Sequence, residues 1–160
     1  METIKIKSNK LGDTRTATRV PTISEFEWAN RSHCEDVKNM MRAIASEIRD
    51  RGIVHDYTKT SESTKSLFYR ELCATIEGKM DDFTKGEWYP AHCAYERHHL
   101  NVRCPEDVNL IDVIEMICDC VCAGMARSGE VRPPEINADI LEKAVQNTVT
   151  MLADAVEIEE

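Results

Sequence analysis

Five histidines, His33, His55, His92, His98 and His99, occur with two carboxylates, Asp56 and Asp119, in the order H…HD…H…HH…D. Imidazole nitrogens and carboxylate oxygens hold Fe, Mn, Co or Zn ions, and an adjacent His-Asp offers one of each. A lone histidine on an inward helical face is ordinarily a hydrogen-bonded core residue. The ordered set is harder to explain that way. Asp119 closes the apolar run Val113-Ile114-Glu115-Met116-Ile117-Cys118-Asp119, where an ionised carboxylate is costly unless paired or metal-bound. Metal ligation would satisfy all of these groups together.

The elements that must position them read as helices. A first helix is expected from Ser32, with Ser32 and Glu35 as an S-x-x-E capping box and Val37, Met40, Met41, Ile44, Ala45 and Ile48 facing inward. His33 lies at the end of that face, and Gly52 is expected to stop the helix. Ile53-Val54-His55-Asp56 opens a second stretch, which Ser61–Glu77 continues or follows after a short break, with Leu67, Phe68, Leu72 and Ile76 inward. After a loop from Gly78 to Gly86, a third helix starts at Glu87, or with Pro90 in its first turn, and runs to Leu100. If continuous, it places His92 and His99 about 20° apart and His98 about 120° away. Asp107–Met125 is the most regular helix, with a second stripe of Asp112, Glu115, Asp119 and Cys122 beside its apolar face. Ser128-Gly129 ends it. A last helix, Glu135–Glu157, carries a structural face of Ile140, Leu141, Ala144, Val145, Thr148 and Leu152. Residues 1–23 form a mobile arm or a small hairpin pairing Ile4-Lys5-Ile6 with Thr14–Thr18. The expected fold is an all-α, single-domain bundle of five to six helices over residues 24–160.

The composition narrows the function classes. The chain has 160 residues, 42% hydrophobic and 31% charged, as in a folded globular domain. A net charge of −9 argues against extended nucleic acid or an anionic membrane surface as partner, because polyanion affinity rests on Lys and Arg contacts. No apolar run reaches the roughly 20 residues of a membrane span, and Met1-Glu2-Thr3-Ile4-Lys5 lacks a secretion signal, so a cytoplasmic location is expected. The seven cysteines include no C-x-x-C pair and predict neither a disulfide framework nor a zinc ribbon. Cys118 and Cys122, one turn apart, either bind a soft metal or act as reduced small hydrophobes on a packed helix. The long apolar helix faces permit a homodimer.

The set His33, His55-Asp56 and Asp119 resembles the HD-domain metal-dependent phosphohydrolases, helical proteins that bind metal through H…HD…D. His92 and the pair His98-His99 resemble the binuclear branches, where extra histidines hold a second ion. His55-Asp56-Tyr57-Thr58-Lys59 is similar to the HD-x-x-K variant of cyclic-dinucleotide phosphodiesterases, whose lysine contacts substrate phosphate. Over residues 30–130 the chain also resembles uncharacterised HD-like bacteriophage proteins, with Glu115-Met116-Ile117-Cys118-Asp119 matching their E-M-I-x-D run. It departs from the cyclic-dinucleotide branch in lacking a G-Y-P loop and in its shorter His92–His98 and His99–Asp119 spacings.

The resemblance implies a helical phosphohydrolase acting on a nucleotide or related small phosphoester in the cytoplasm, the host's if phage-encoded. Its ligands would be His33, His55, Asp56, His92, His98 or His99, and Asp119, around two divalent ions bridged by Asp56. Lys59 would neutralise a phosphate oxygen, and Glu115 would orient a ligand or act as general acid or base. Trp88 and Tyr95 either stack on a base or sugar or pack the core. Arg97 and Arg103 are candidate phosphate contacts. Two other readings fit the same residues: a di-iron HD-fold oxygenase, and a phage-encoded protein that binds a nucleotide or signalling molecule without turnover.

Overall fold

Helix α1 (Ile23–Val54) begins where the chain supplies a reciprocal capping pair. Thr22 Oγ1 accepts the Glu25 amide at 3.3 Å, and Glu25 Oε2 accepts the Thr22 amide at 2.8 Å. In this computed structural model, which describes residues 1–159, the expected box at Ser32 and Glu35 lies inside the helix. Gly52 does not stop it either, since a glycine costs a helix only about 1 kcal/mol relative to alanine. The chain leaves α1 through Asp56, the one non-glycine residue with positive φ (55°) among those described. Aspartate tolerates this left-handed conformation better than most residues. His55-Asp56 therefore occupies a sharp turn before the single-turn helix α2 (Tyr57–Thr60), not the opening of a helix.

Helices α3 (Lys65–Ile76), α4 (Trp88–Tyr95), α5 (Leu110–Ser128) and α6 (Ala138–Asp154) follow, making the chain mostly helical as expected. Leu72 and Ile76 are exposed rather than inward, and the buried residue of α3 is Glu71. Its carboxylate accepts the Glu87 and Trp88 amides at 3.0 and 3.1 Å, which caps the start of α4. Gly86 permits this approach, because a Cβ there would lie 2.2 Å from Glu71 Oε2. Asn109 and Asp112 form a capping box at the start of α5, and Gly129, at φ 74°, ends it.

The chain divides into two compact units. One comprises Met1–Arg49 and the chain from Val149 onward. Its strand β1 (Ile4–Lys7) pairs in parallel with β2 (Val156–Glu159), Ile4 opposite Val156, and Lys5 meets Glu159 at 3.0 Å. The expected hairpin with Thr14–Thr18 does not form. The two terminal strands alternate apolar residues with charges of opposite sign, and this long-range complementarity prevails over local pairing. The division into units falls within α1 and α6 rather than at residue 23.

The other unit, Asp50–Thr148, holds a core of Leu100, Val108, Val113, Met116 and Ala144. Thr148 Oγ1 accepts the Leu110 amide at 2.8 Å and donates to the Ala144 carbonyl at 2.7 Å. The Ala144–Thr148 face of α6 is thus structural as expected, whereas Leu141 and Val145 are exposed. Among the described residues the cysteines are free, and no helix is long and apolar enough to cross a membrane.

Candidate metal centre

Three stretches of the Asp50–Thr148 unit bring the donors together. The turn after α1 supplies His55 and Asp56, and α5 supplies Glu115 and Asp119. Helix α4 supplies His92 and stops at Tyr95, so the expected continuation to Leu100 does not occur. His98 and His99 lie in the turn that follows. Helical phase no longer applies there, and both join the cluster instead of pointing apart.

Asp56, His92, His98 and His99 form a first group whose donor atoms all lie within 4.8 Å of one another. His92 Nε2 and His98 Nε2 stand 3.4 and 3.7 Å from Asp56 Oδ1, and His99 Nε2 is 2.7 Å from His92 Nε2. His55, Asp56 and Asp119 form a second group. His55 Nε2 lies 3.3 Å from Asp56 Oδ2 and 3.6 Å from Asp119 Oδ1. The two oxygens of Asp56 therefore face different groups, and the Lys59 ammonium donates to Oδ2.

A metal fits these donors on an observation independent of any motif. Asp56 Oδ1 and both ring nitrogens of His98 are buried and make no hydrogen bond. Buried polar atoms are seldom left so, and a cation between Asp56 Oδ1 and His98 Nε2 would satisfy both. No thiolate joins either group, so the donor set suits Mn, Fe, Co or Zn rather than a thiophilic ion.

Behind the donors lies a charged support. Glu115 Oε1 is 2.9 Å from His55 Nδ1 and 3.2 Å from His98 Nδ1, the latter too far off line to be a hydrogen bond. Its position on the Nδ1 side of both rings leaves their Nε2 atoms facing Asp56. Arg51 Nη1 donates to Glu115 Oε2 at 3.1 Å and to Asp112 Oδ1 at 2.7 Å. Asp112, fully buried, also takes two bonds from Arg97, Nε to Oδ1 and Nη2 to Oδ2, each at 2.8 Å.

The electrostatics favour ligating protonation states at His92, His99 and Asp56 and oppose one at His98. Burial, then the neighbouring His99, pushes His92 down to about 3, and burial and His98 push His99 down. Burial alone would raise Asp56 and Glu115, but Lys59 outweighs it at Asp56, and His98, His55 and Arg51 outweigh it at Glu115, so both carboxyls lie below their usual range. His98 moves up, because Glu115, Asp56 and Asp119 together overcome the effect of its burial.

The remaining expected site residues lie elsewhere or act differently. His33 belongs to the other unit, exposed on α1 and lining a groove of about 490 Å³ with Asn9, Lys10 and Asn30. His33 is in none of the donor groups found among the described residues. Trp88 is buried with no face for a substrate. It stacks on His92 at a centroid distance of 4.4 Å and on Phe68 at 4.2 Å, which fixes the His92 ring. Arg97 spends its donors on Asp112 and Asp107. With exposed Tyr95 and Arg103 it lines a groove of about 360 Å³ that includes none of the donors.

Arg51, Asp112, Thr58 and Glu96 are structural partners that sequence reasoning missed as such. The stripe through Asp112, Glu115 and Asp119 signals that α5 points polar groups inward. Nothing local links Arg51 to a carboxylate some 60 residues later.

The sequence model of DUF5662, described as a family of unknown function, matches residues 22–157, and the chain belongs to that family. No curated protein and no solved structure matches it.

Proposed function

We propose that this member of the DUF5662 family is a metal-dependent phosphohydrolase acting on a nucleotide or related small phosphoester. The observation that carries the reading is Asp56, whose two oxygens face two donor groups, one of them buried and without hydrogen-bond partners. His92, His98, His99 and Asp56 would hold one divalent ion, and His55, Asp119 and Asp56 a second. Such a pair, when bound, acidifies water and neutralises charge on phosphate oxygens. The chain's own groups supply the rest. Glu115 keeps His55 and His98 turned inward, and Arg51 holds Glu115. Lys59, half-buried beside Asp56, would offset the negative charge of a phosphate oxygen that arrives on the His55–Asp119 side. The H…HD…H…HH…D order and its resemblance to HD-domain enzymes support the same reading.

Metal analysis of freshly purified protein, followed by a panel of nucleotides and cyclic nucleotides, tests it. The expected result is one to two bound ions and phosphate release that disappears in His55→Ala and Asp56→Asn. Metal-free protein whose activity survives both substitutions would remove the proposal. The six donor residues of the two groups also suit a di-iron oxygenase, the second reading. Bound iron with a mixed-valence spectroscopic signal would favour that chemistry over hydrolysis.

A further inference from the structure

Behind His92 stands a short series of buried groups. Glu96 is 6%, Thr58 8% and His92 2% exposed. Thr58 Oγ1 lies 2.8 Å from Glu96 Oε1 and 2.5 Å from His92 Nδ1. The same Glu96 oxygen accepts the Thr58 backbone amide at 2.9 Å. That amide identifies Glu96 Oε1 as an acceptor. A hydroxyl has a single proton to give, so Thr58 gives it to Glu96, and its oxygen is left to accept from His92. His92 Nδ1 must then carry the ring proton. Nε2, which faces Asp56 Oδ1 and His99 Nε2, is left with the lone pair.

We propose that Thr58 and Glu96 form a hydroxyl–carboxylate relay that sets the tautomer of His92 and presents its Nε2 lone pair to a divalent cation. The cation rests on the reading of the centre given above; the tautomer does not. The alternative tautomer would set the Nδ1 lone pair against an oxygen lone pair at 2.5 Å and turn a proton into the donor group. The fold holds every member in place. The Glu96 amide bonds the His92 carbonyl at 2.8 Å, the Thr64 hydroxyl donates to the Thr58 carbonyl, and Trp88 lies nearly parallel to the His92 ring, at 16°. His92 thus obtains from a threonine and a glutamate what His55 obtains directly from Glu115. Thr58 and Glu96 are positioning residues, since neither belongs to a donor group.

The test is a long-range ¹H–¹⁵N correlation spectrum of the full-length, metal-free protein, joined to calorimetric titration with Zn²⁺. Wild type and Thr58→Ser are expected to show His92 protonated at Nδ1. Thr58→Val, which keeps the shape and loses the hydroxyl, is expected to shift His92 towards the Nε2–H form and weaken Zn²⁺ binding about 10- to 100-fold. Thr58→Ser should restore the affinity, which a packing role alone would not require. Nε2–H His92 in wild type overturns the relay, and this spectrum decides even if Thr58→Val does not fold. A folded Thr58→Val with the wild-type tautomer and affinity overturns it as well. Nδ1–H His92 in a wild type that takes up no Zn²⁺ upholds the relay and removes the metal reading alone.

Discussion

The two sides of Asp56 hold similar donors in different surroundings. On one side the His92 and His98 side chains are each 1% exposed; on the other, His55 and Asp119 are each 27% exposed. The buried side offers three imidazoles and one carboxylate oxygen, and at its buried His92 and His98 electrostatic interactions are less screened by solvent. The open side offers one imidazole and two carboxylates next to Lys59. In the proposed reading, the buried side retains its ion and the open side exchanges ion and substrate. One residue, Asp56, couples them.

The largest expected effect comes from removing the support behind both sides. Asp112→Ala leaves Arg51 and Arg97 without their buried partner, so urea denaturation should show a loss of about 3–5 kcal/mol. The same group predicts a pH dependence. Burial alone would raise Asp112, but Arg97, the Asn109 amide and Arg51 outweigh it and hold the carboxyl below its ordinary value of 3.8. A lowered folded value contributes stability that is present above the ordinary value and lost as pH falls through the folded one. The urea midpoint should therefore change little from Asp112 between pH 7 and 5 and fall below about pH 4, and Asp112→Asn should flatten that fall.

Asp56→Asn comes next. It keeps a side chain that tolerates the left-handed turn but removes the shared charge, so metal content should fall on both sides, with affinity reduced at least about 100-fold. Loss of one equivalent only would break the idea that Asp56 couples the groups. Asp119→Asn is expected to be milder and selective. It should weaken one of two Zn²⁺ equivalents about 10-fold in calorimetry and spare the other; equal loss of both would make the two sides a single site. The smallest effect belongs to His33→Ala, expected to leave metal content unchanged and stability within about 0.5 kcal/mol. A drop in bound metal would return His33 to the ligand set.

Much of α5 was legible in advance. The stripe of Asp112, Glu115 and Asp119 and the end at Ser128-Gly129 follow from 3.6-residue periodicity and glycine's freedom at a C-cap, whereas Ile114, Ile117 and Val121 of the expected apolar face are exposed. The start of α1 has a local signal of its own, the T-x-x-E box Thr22-Ile23-Ser24-Glu25 just after Pro21, which prevails over the box expected at Ser32 and Glu35. The pairing of Ile4–Lys7 with Val156–Glu159 joins opposite ends of the chain, and no local window contains both strands.

By itself, the sequence determined which side chains could ligate, the helical class, and the alignment of the α5 carboxylates along one side of the helix. These depend on residue chemistry and on periods shorter than a dozen residues. Tertiary structure alone decided the membership of the centre. The left-handed turn at Asp56 aims its two oxygens at different groups. The end of α4 at Tyr95 frees His98 and His99 from helical phase, so both converge on His92. Each of these depends on where a helix stops. Competing caps, glycines and long-range carboxylates settle that point by margins of about 1 kcal/mol, too small to read from a local pattern.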